Sequence, residues 1–303
     1  VIDLAIGRFL SVTREQRKAY EATAGDLFYE LEQDFKERTE LGVAMLKHYA
    51  SWAPRADKFT PIAVEYDFEV PIQDPVGRQL YCKCHDWPVL YQGRIDGVVR
   101  DEFRYNWILE HKTAAQLGST NHLALDEQCG SYAWALSILG YPVKGVIYNE
   151  ALKDYPTPPE RLASSREGRN FSVNKRQRTT YDIYLNTLVQ AGEDIRLYAE
   201  MLAYLKENEN PFFRRTQVHR NAQELRDIGY RIYLEAQDIL DPELRIYPNP
   251  TRINCQGCAF REPCIMMNEG GDYEFLLNEL YYQRPESGQD TGSNGTELGT
   301  KTE

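Results

Sequence analysis

No stretch of this sequence approaches the roughly 18 consecutive apolar residues that a bilayer-spanning helix requires, and no signal-peptide pattern opens it. It has no glycine-rich phosphate loop and no Rossmann-type alternation of strands and helices, which argues against a nucleotide-binding α/β fold. It has no internal repeat. Positive charge is scarce: 35 Lys and Arg stand against 46 Asp and Glu, a net charge of −11. Proteins that grip nucleic acid over their whole surface are usually basic, so any such contact here must rest on a local stripe. Six cysteines in 303 residues without a secretion signal do not make a disulfide framework. With 42% hydrophobic and 27% charged residues, the chain reads as a soluble globular protein, expected in the cytoplasm. It begins at Val1 rather than methionine, so an upstream segment is expected to be missing.

Leu27, Phe28, Leu31 and Phe35, then Leu41, Met45, Leu46, Tyr49 and Trp52, recur at helical spacing. They predict helix over 14–53, with Gly42 as a junction between two helices. The period then changes to two. "IAVEYDFEVPI" predicts a strand at 62–72, and Asp74-Pro75-Val76-Gly77 a turn. "QLYCKC", "YQGRIDGVV" and "YNWILEHKT" are further strands. Helix returns at 121–139, and "VKGVIYNEA" is a short strand. A polar, basic connection at 155–180 leads to helices at 181–207, 219–240 and 272–282. The tail from Pro285 has the composition of a disordered segment. The order predicts an α/β core with a central mixed sheet flanked by helices. Residues 1–284 are expected to form one domain, in four parts: an N-terminal helical part (1–60), a sheet and helix (61–150), a basic loop with helices (151–250) and a cysteine segment (251–284). Residues 285–303 would be its tail.

The chemistry concentrates in "YQGRIDGVVRDEFRYNWILEHKT". Side chains alternate along a strand, so Gln92, Arg94 and Asp96 share one face, and Ile108, Glu110 and Lys112 share one face of the next strand. A hairpin turning symmetrically about Phe103 sets Asp96 opposite Glu110, with Cβ atoms roughly 4.5–5.5 Å apart. At about 5 Å and an effective dielectric near 20, two carboxylates repel by about 3 kcal/mol. Exposure to water, protonation of one acid, or a cation would relieve this. Carboxylate oxygens with open positions suit Mg²⁺ or Mn²⁺, and Lys112 beside that ion could position or help deprotonate a water. Gln128 and Tyr132 lie one helical turn apart in "EQCGSYAWA" and share a helix face.

"NCQGCAFREPC" places Cys255, Cys258 and Cys264 close enough to converge on an iron–sulfur cluster or on zinc. Cys82, Cys84 and Cys129 read as packing residues. Arg166, Arg169, Lys175, Arg176 and Arg178 form a local basic excess against Glu167, suited to phosphate contacts. Phe171 and Tyr181 nearby could stack on bases. Arg214, Arg215 and Arg220 form a second, weaker basic patch.

The order "GRIDG", "LEHK", "QCGSY" resembles the PD-(D/E)XK nuclease superfamily over about residues 60–284. It is most similar to the RecB/AddB branch and to the iron–sulfur exonucleases of phages and CRISPR loci. The resemblance implies metal binding by Asp96, Glu110 and the backbone carbonyl of His111, with Lys112, Gln128 and Tyr132 completing the catalytic set. It implies a metal-binding histidine on a helix before the first strand, for which His48 is the candidate. Glu65 is similar to an acid found on the first strand of many members. The cysteine triplet is similar to one that holds a [4Fe–4S] cluster together with a distant upstream cysteine. No cysteine precedes Cys82, so the fourth ligand would lie before Val1 or be Cys82, Cys84 or Cys129. The function implied is a Mg²⁺- or Mn²⁺-dependent DNA exonuclease in recombination, repair, or phage or CRISPR DNA processing, with DNA and a helicase or recombinase as partners and no membrane. The alternatives are an inactive DNA-binding or assembly subunit of the same fold, and a zinc-stabilised protein of unrelated activity.

Overall fold

The computed structural model describes residues 2–24, 27–83, 86–208, 212–245 and 248–281. Two long helices come first, α1 (Ile2–Ala24) and α2 (Leu27–Ala56). Then come β1 (Phe59–Pro71), a small ribbon of β2 (Tyr81–Cys82) and β3 (Trp87–Pro88), and the hairpin β4 (Leu90–Asp101) and β5 (Asn106–Ala114). A 3₁₀ turn (Asn121–Leu125) leads to α3 (Glu127–Ile138) and β6 (Gly145–Leu152). A second ribbon, β7 (Arg161–Arg166) and β8 (Arg169–Phe171), precedes α4 (Tyr181–Gln190) and α5 (Ala199–Glu207). The chain continues with β9 (Phe213–His219), α6 (Ala222–Leu240), α7 (Arg252–Gln256), α8 (Arg261–Asn268) and α9 (Tyr273–Leu280). The tail expected at 285–303 lies outside the described residues, as do Cys84 and His85.

Five strands form the central sheet in the order β1-β4-β5-β6-β9. β5 and β6 are parallel, with α3 in the connection between them, and the other neighbours are antiparallel. The sheet is therefore mixed and helix-flanked, as the order of elements predicts. On one face, Ile95, Val98, Ile108, Val146 and Tyr148 pack against Ala133 and Leu136 of α3 and Ile228 of α6. On the other face, Val99, Trp107 and Ile147 pack with Phe59 and Leu109. α4, α5 and β8 enclose a separate core of Tyr184, Leu188, Tyr198, Met201 and Phe171.

Several elements differ from the sequence reading: α1 begins at Ile2, and the connection read over 155–180 contains the β7–β8 ribbon. α2 runs unbroken through Gly42, because the ring of Phe9 lies against that position and a Cβ would collide with it; the glycine serves close helix packing rather than a junction. The helix expected over 181–207 stops after Gln190. Gly192 (φ 73°) donates to the Val189 carbonyl and Glu193 to that of Leu188, a Schellman ending. β9 forms before α6, where the sequence reading placed no element. The capping box of Asn221 and Glu224 then starts α6.

Candidate active site

The hairpin register is the one a symmetric turn about Phe103 requires. Val98 pairs with Ile108 and Gly97 with Leu109, so the next step sets Asp96 opposite Glu110. The strand-to-strand pairing ends at Gly97, and there the Asp96 carboxylate takes over from backbone: its Oδ2 accepts the His111 N–H at 2.9 Å. N–H and C=O of one strand residue leave toward the same neighbour, so the His111 carbonyl also faces the Asp96 side. On the other flank, Val64 pairs with Gly97 and Tyr66 with Ile95, which sets Glu65 across from Asp96. Glu65 holds φ 47°, a left-handed conformation that a side chain seldom adopts. Ile95 and Val98 both enter the α3-side core, so the alternation that predicted a shared Gln92–Arg94–Asp96 face breaks here. Strain of this kind gathers where structure serves chemistry rather than stability.

Glu110 is 4% exposed, and burial raises its pKa above the ordinary range. Lys112, whose Nζ stands 2.6 Å from Glu110 Oε1, pulls the other way, and the charge of Asp96 pushes it up again. The ammonium of Lys112 is partly desolvated, which would lower its pKa, but the hydrogen bond and charge of Glu110 outweigh this and the net shift is upward. Lys112 also donates to Gln128 Oε1 at 2.8 Å, and Gln128 Nε2 donates to the Tyr132 hydroxyl at 3.1 Å. Glu110, Lys112, Gln128 and Tyr132 thus form one hydrogen-bonded chain from β5 to α3. Asp126 caps that helix by accepting from the Cys129 N–H, which fixes where Gln128 points.

Among the described residues, no three His, Cys, Asp or Glu side chains are placed to hold one metal ion. The donor set at the hairpin is two carboxylates with a carbonyl on their side, hard oxygen ligands of the kind Mg²⁺ and Mn²⁺ take. Burial and, to a smaller degree, the charge of Asp96 raise the Glu110 pKa despite the ammonium of Lys112 beside it, and a cation held by the two acids would relieve their repulsion. His48 does not join it. It packs on the rings of Phe212 and Phe213 and lines a different cleft, beside Trp52 and Tyr181.

The cysteine cluster finds no such fit. Cys255, Cys258 and Cys264 are free thiols around α7 and α8 but are not gathered into a ligating group. Cys129 is buried in the core with its thiol pushed up to about 12 by burial, and Cys82 is disulfide-bonded. Neither is a ready thiolate.

Behind β5 lies a network the sequence reading missed. His111 Nδ1 is 2.6 Å from Asn149 Nδ2, and Asn149 also reaches the Tyr49 hydroxyl at 3.4 Å. Arg215 donates to the same hydroxyl at 3.0 Å, pairs with Asp57 and stacks on Trp52. Burial lowers the His111 pKa, so the ring is held neutral. The signal was an asparagine and a glutamate inside the fully buried run of β6, where unpaired polar residues do not occur without partners. The weaker basic patch is likewise committed internally. Arg214 makes a two-pronged pair with Glu150 at 2.7 Å, and Arg220 donates to the carbonyls of Leu123, Ala124 and Asp126. Arg169 pairs with Glu167, and Arg178 pairs with Asp154 at the surface, while Arg166, Lys175, Arg176 and Arg178 are all exposed. Phe171 is core rather than a stacking platform.

A family model of the PD-(D/E)XK nuclease superfamily matches residues 9–265. The chain belongs to the PD-(D/E)XK nuclease superfamily. A comparison with curated proteins finds no match. Membership of this superfamily is membership of a group of nucleases, and Glu110, Lys112, Gln128 and Tyr132 are joined by hydrogen bonds across β5 and α3. No helix among the described residues is long and apolar enough to cross a membrane.

Proposed function

We propose that this PD-(D/E)XK protein is a Mg²⁺- or Mn²⁺-dependent deoxyribonuclease that works from strand ends. Asp96, Glu110 and the His111 carbonyl would hold the ion. When bound, the ion would polarise the scissile phosphate and lower the pKa of a water. The observation that carries this reading is Glu110: a buried carboxylate in a superfamily of nucleases, opposed by Asp96, with Lys112 at 2.6 Å. Because Glu110 holds Lys112 in its ammonium form, Lys112 serves as a donor to the attacking water or to the charge growing on the phosphate. Gln128 holds the ammonium in place, and Tyr132 holds Gln128. Arg166, Lys175 and Arg176 supply phosphate contacts away from the reacting bond. The exonuclease character and a role in recombination, repair, or phage or CRISPR DNA processing, with a helicase or recombinase as partner, rest on the resemblance of "GRIDG", "LEHK" and "QCGSY" alone.

End-labelled single- and double-stranded DNA incubated with Mg²⁺ or Mn²⁺ tests the reading. Wild-type protein should degrade the label, and Lys112→Ala should lose about two to four orders of magnitude in rate with an unchanged circular dichroism spectrum. A Lys112→Ala protein that cuts as fast as wild type removes Lys112 from the mechanism. A wild-type protein that binds DNA without cutting it supports a binding subunit instead.

A further inference from the structure

Glu110 and Lys112 meet Gln128 of α3 on one face of the sheet. His111 lies between them in β5, so its ring turns to the opposite face. Asn149, its register partner on β6, shares that face. We infer that Asn149 is a positioning residue for the hairpin metal site, acting through the imidazole of His111; this rests on the metal-dependent reading above. Asn149 Nδ2 stands 2.6 Å from His111 Nδ1. An amide N–H donates, so Nδ1 accepts, and the ring is tied to β6. The backbone of the same histidine serves the front of the sheet. Its N–H donates to Asp96 Oδ2 at 2.9 Å, and its carbonyl leaves on that same side. A tilt of residue 111 would therefore move one acid and one carbonyl ligand together.

The anchor is itself braced. Asn149 is 3% exposed, and its Nδ2 also reaches the Tyr49 hydroxyl of α2 at 3.4 Å. Arg215 of β9 donates to that hydroxyl at 3.0 Å and pairs with Asp57. Its guanidinium lies over the rings of Tyr49, Trp52 and Phe59. A line of polar contacts thus runs from Asp57 through Arg215, Tyr49, Asn149 and His111 to Asp96. Packing alone does not call for it. Gly145–Glu150 is buried throughout, and an apolar residue at 149 would need no partner. Asn149 Oδ1 accepts no hydrogen bond from the described residues. A buried amide satisfied only in part costs stability, so its use lies in the ring it holds. Hydrogen bonds that orient the ligands of a metal site are worth about ten- to a hundredfold in metal affinity.

The test reads metal affinity without DNA. Mn²⁺ binding to the full chain is followed by electron paramagnetic resonance of the free ion. Asn149→Leu nearly keeps the volume and removes the donor, and it should weaken Mn²⁺ binding by about tenfold or more. Asn149→Ala, which adds no apolar bulk, should do the same, with the melting temperature reporting the fold of each variant. His111→Phe should also weaken binding. The double variant His111→Phe with Asn149→Leu should bind no more weakly than His111→Phe, because the two residues act in one line. A role in folding alone would lower the melting temperature and leave Mn²⁺ affinity at the wild-type value, which overturns the proposal. Losses that multiply in the double variant overturn it too, since Asn149 would then not act through His111. Cleavage is scored separately, and raising Mn²⁺ should restore it in Asn149→Leu. A wild type that cuts DNA while both Asn149 variants bind Mn²⁺ as tightly keeps the nuclease and removes the positioning role. A wild type that cuts no DNA, yet loses Mn²⁺ affinity on these substitutions, does the reverse.

Discussion

At 4% exposure, Glu110 ionises only against the cost of leaving water, and Asp96 across the hairpin adds to that cost. The sign follows from linkage. A carboxyl whose folded pKa lies above its unfolded value binds more protons in the folded state, so stability falls as pH rises through the interval between the two values. Above the raised folded pKa the whole penalty is present. The metal-free protein should therefore lose stability from this group on going from mildly acidic to neutral pH, and a divalent ion should restore it. Glu110→Gln removes the ionised group. Its melting temperature in EDTA at neutral pH should be no lower than wild type, and the rise that Mg²⁺ or Mn²⁺ gives wild type should vanish. Thermal melting with and without metal checks both, and a variant that is less stable in EDTA yet still stabilised by metal contradicts the account. The pairing of positions 96 and 110 was legible because a symmetric turn sets the register, and a one-residue slip would turn every side chain to the wrong face. The strain at Glu65 was not legible, because nothing in "VEYDFEV" marks the irregular step that φ 47° reveals.

Among the elements, β6 and β9 are joined by a largely buried ion pair. Glu150, buried on β6, is neutralised by Arg214 of β9 in a two-pronged pair. Removing one partner of such a pair leaves a charge without compensation, which costs about 3 kcal/mol or more. Arg214→Ala should lower stability by about that amount in urea unfolding, and adding Glu150→Gln should recover most of it. If Arg214→Ala is neutral, β9 does not hold Glu150 as described. β9 itself escaped the sequence reading for a physical reason. "FRRTQVH" lies at the sheet edge, and its arginines are used for internal pairs that no periodicity reveals. α2 was legible in its apolar spacing, but the use of Gly42 was not, since only the arrival of Phe9 from α1 explains it. The strands β1, β4 and β5 and the α3 pair Gln128 and Tyr132 were legible because period-two and one-turn spacings survive in the fold.

For the whole molecule, charge is allocated rather than abundant. Of the basic groups expected to meet DNA, Arg169 and Arg178 carry surface ion pairs with Glu167 and Asp154, and Arg214, Arg215 and Arg220 have internal partners. Arg166, Lys175 and Arg176 remain exposed, although Lys175 lies over the Tyr204 ring. Each phosphate neutralised on a single strand contributes about −0.7 to the slope of log affinity against log salt. Replacing these three by alanine should therefore make the slope shallower by about 2, as read by fluorescence anisotropy over a salt series. An unchanged slope would place the DNA path elsewhere.

The shared ion between the two hairpin acids is the centre of the account, and anomalous diffraction from crystals soaked in Mn²⁺ tests it most directly. A manganese peak bridging the carboxylates of Asp96 and Glu110, with the ammonium of Lys112 alongside, is the predicted result. Strong manganese peaks elsewhere with none between those two acids would contradict it.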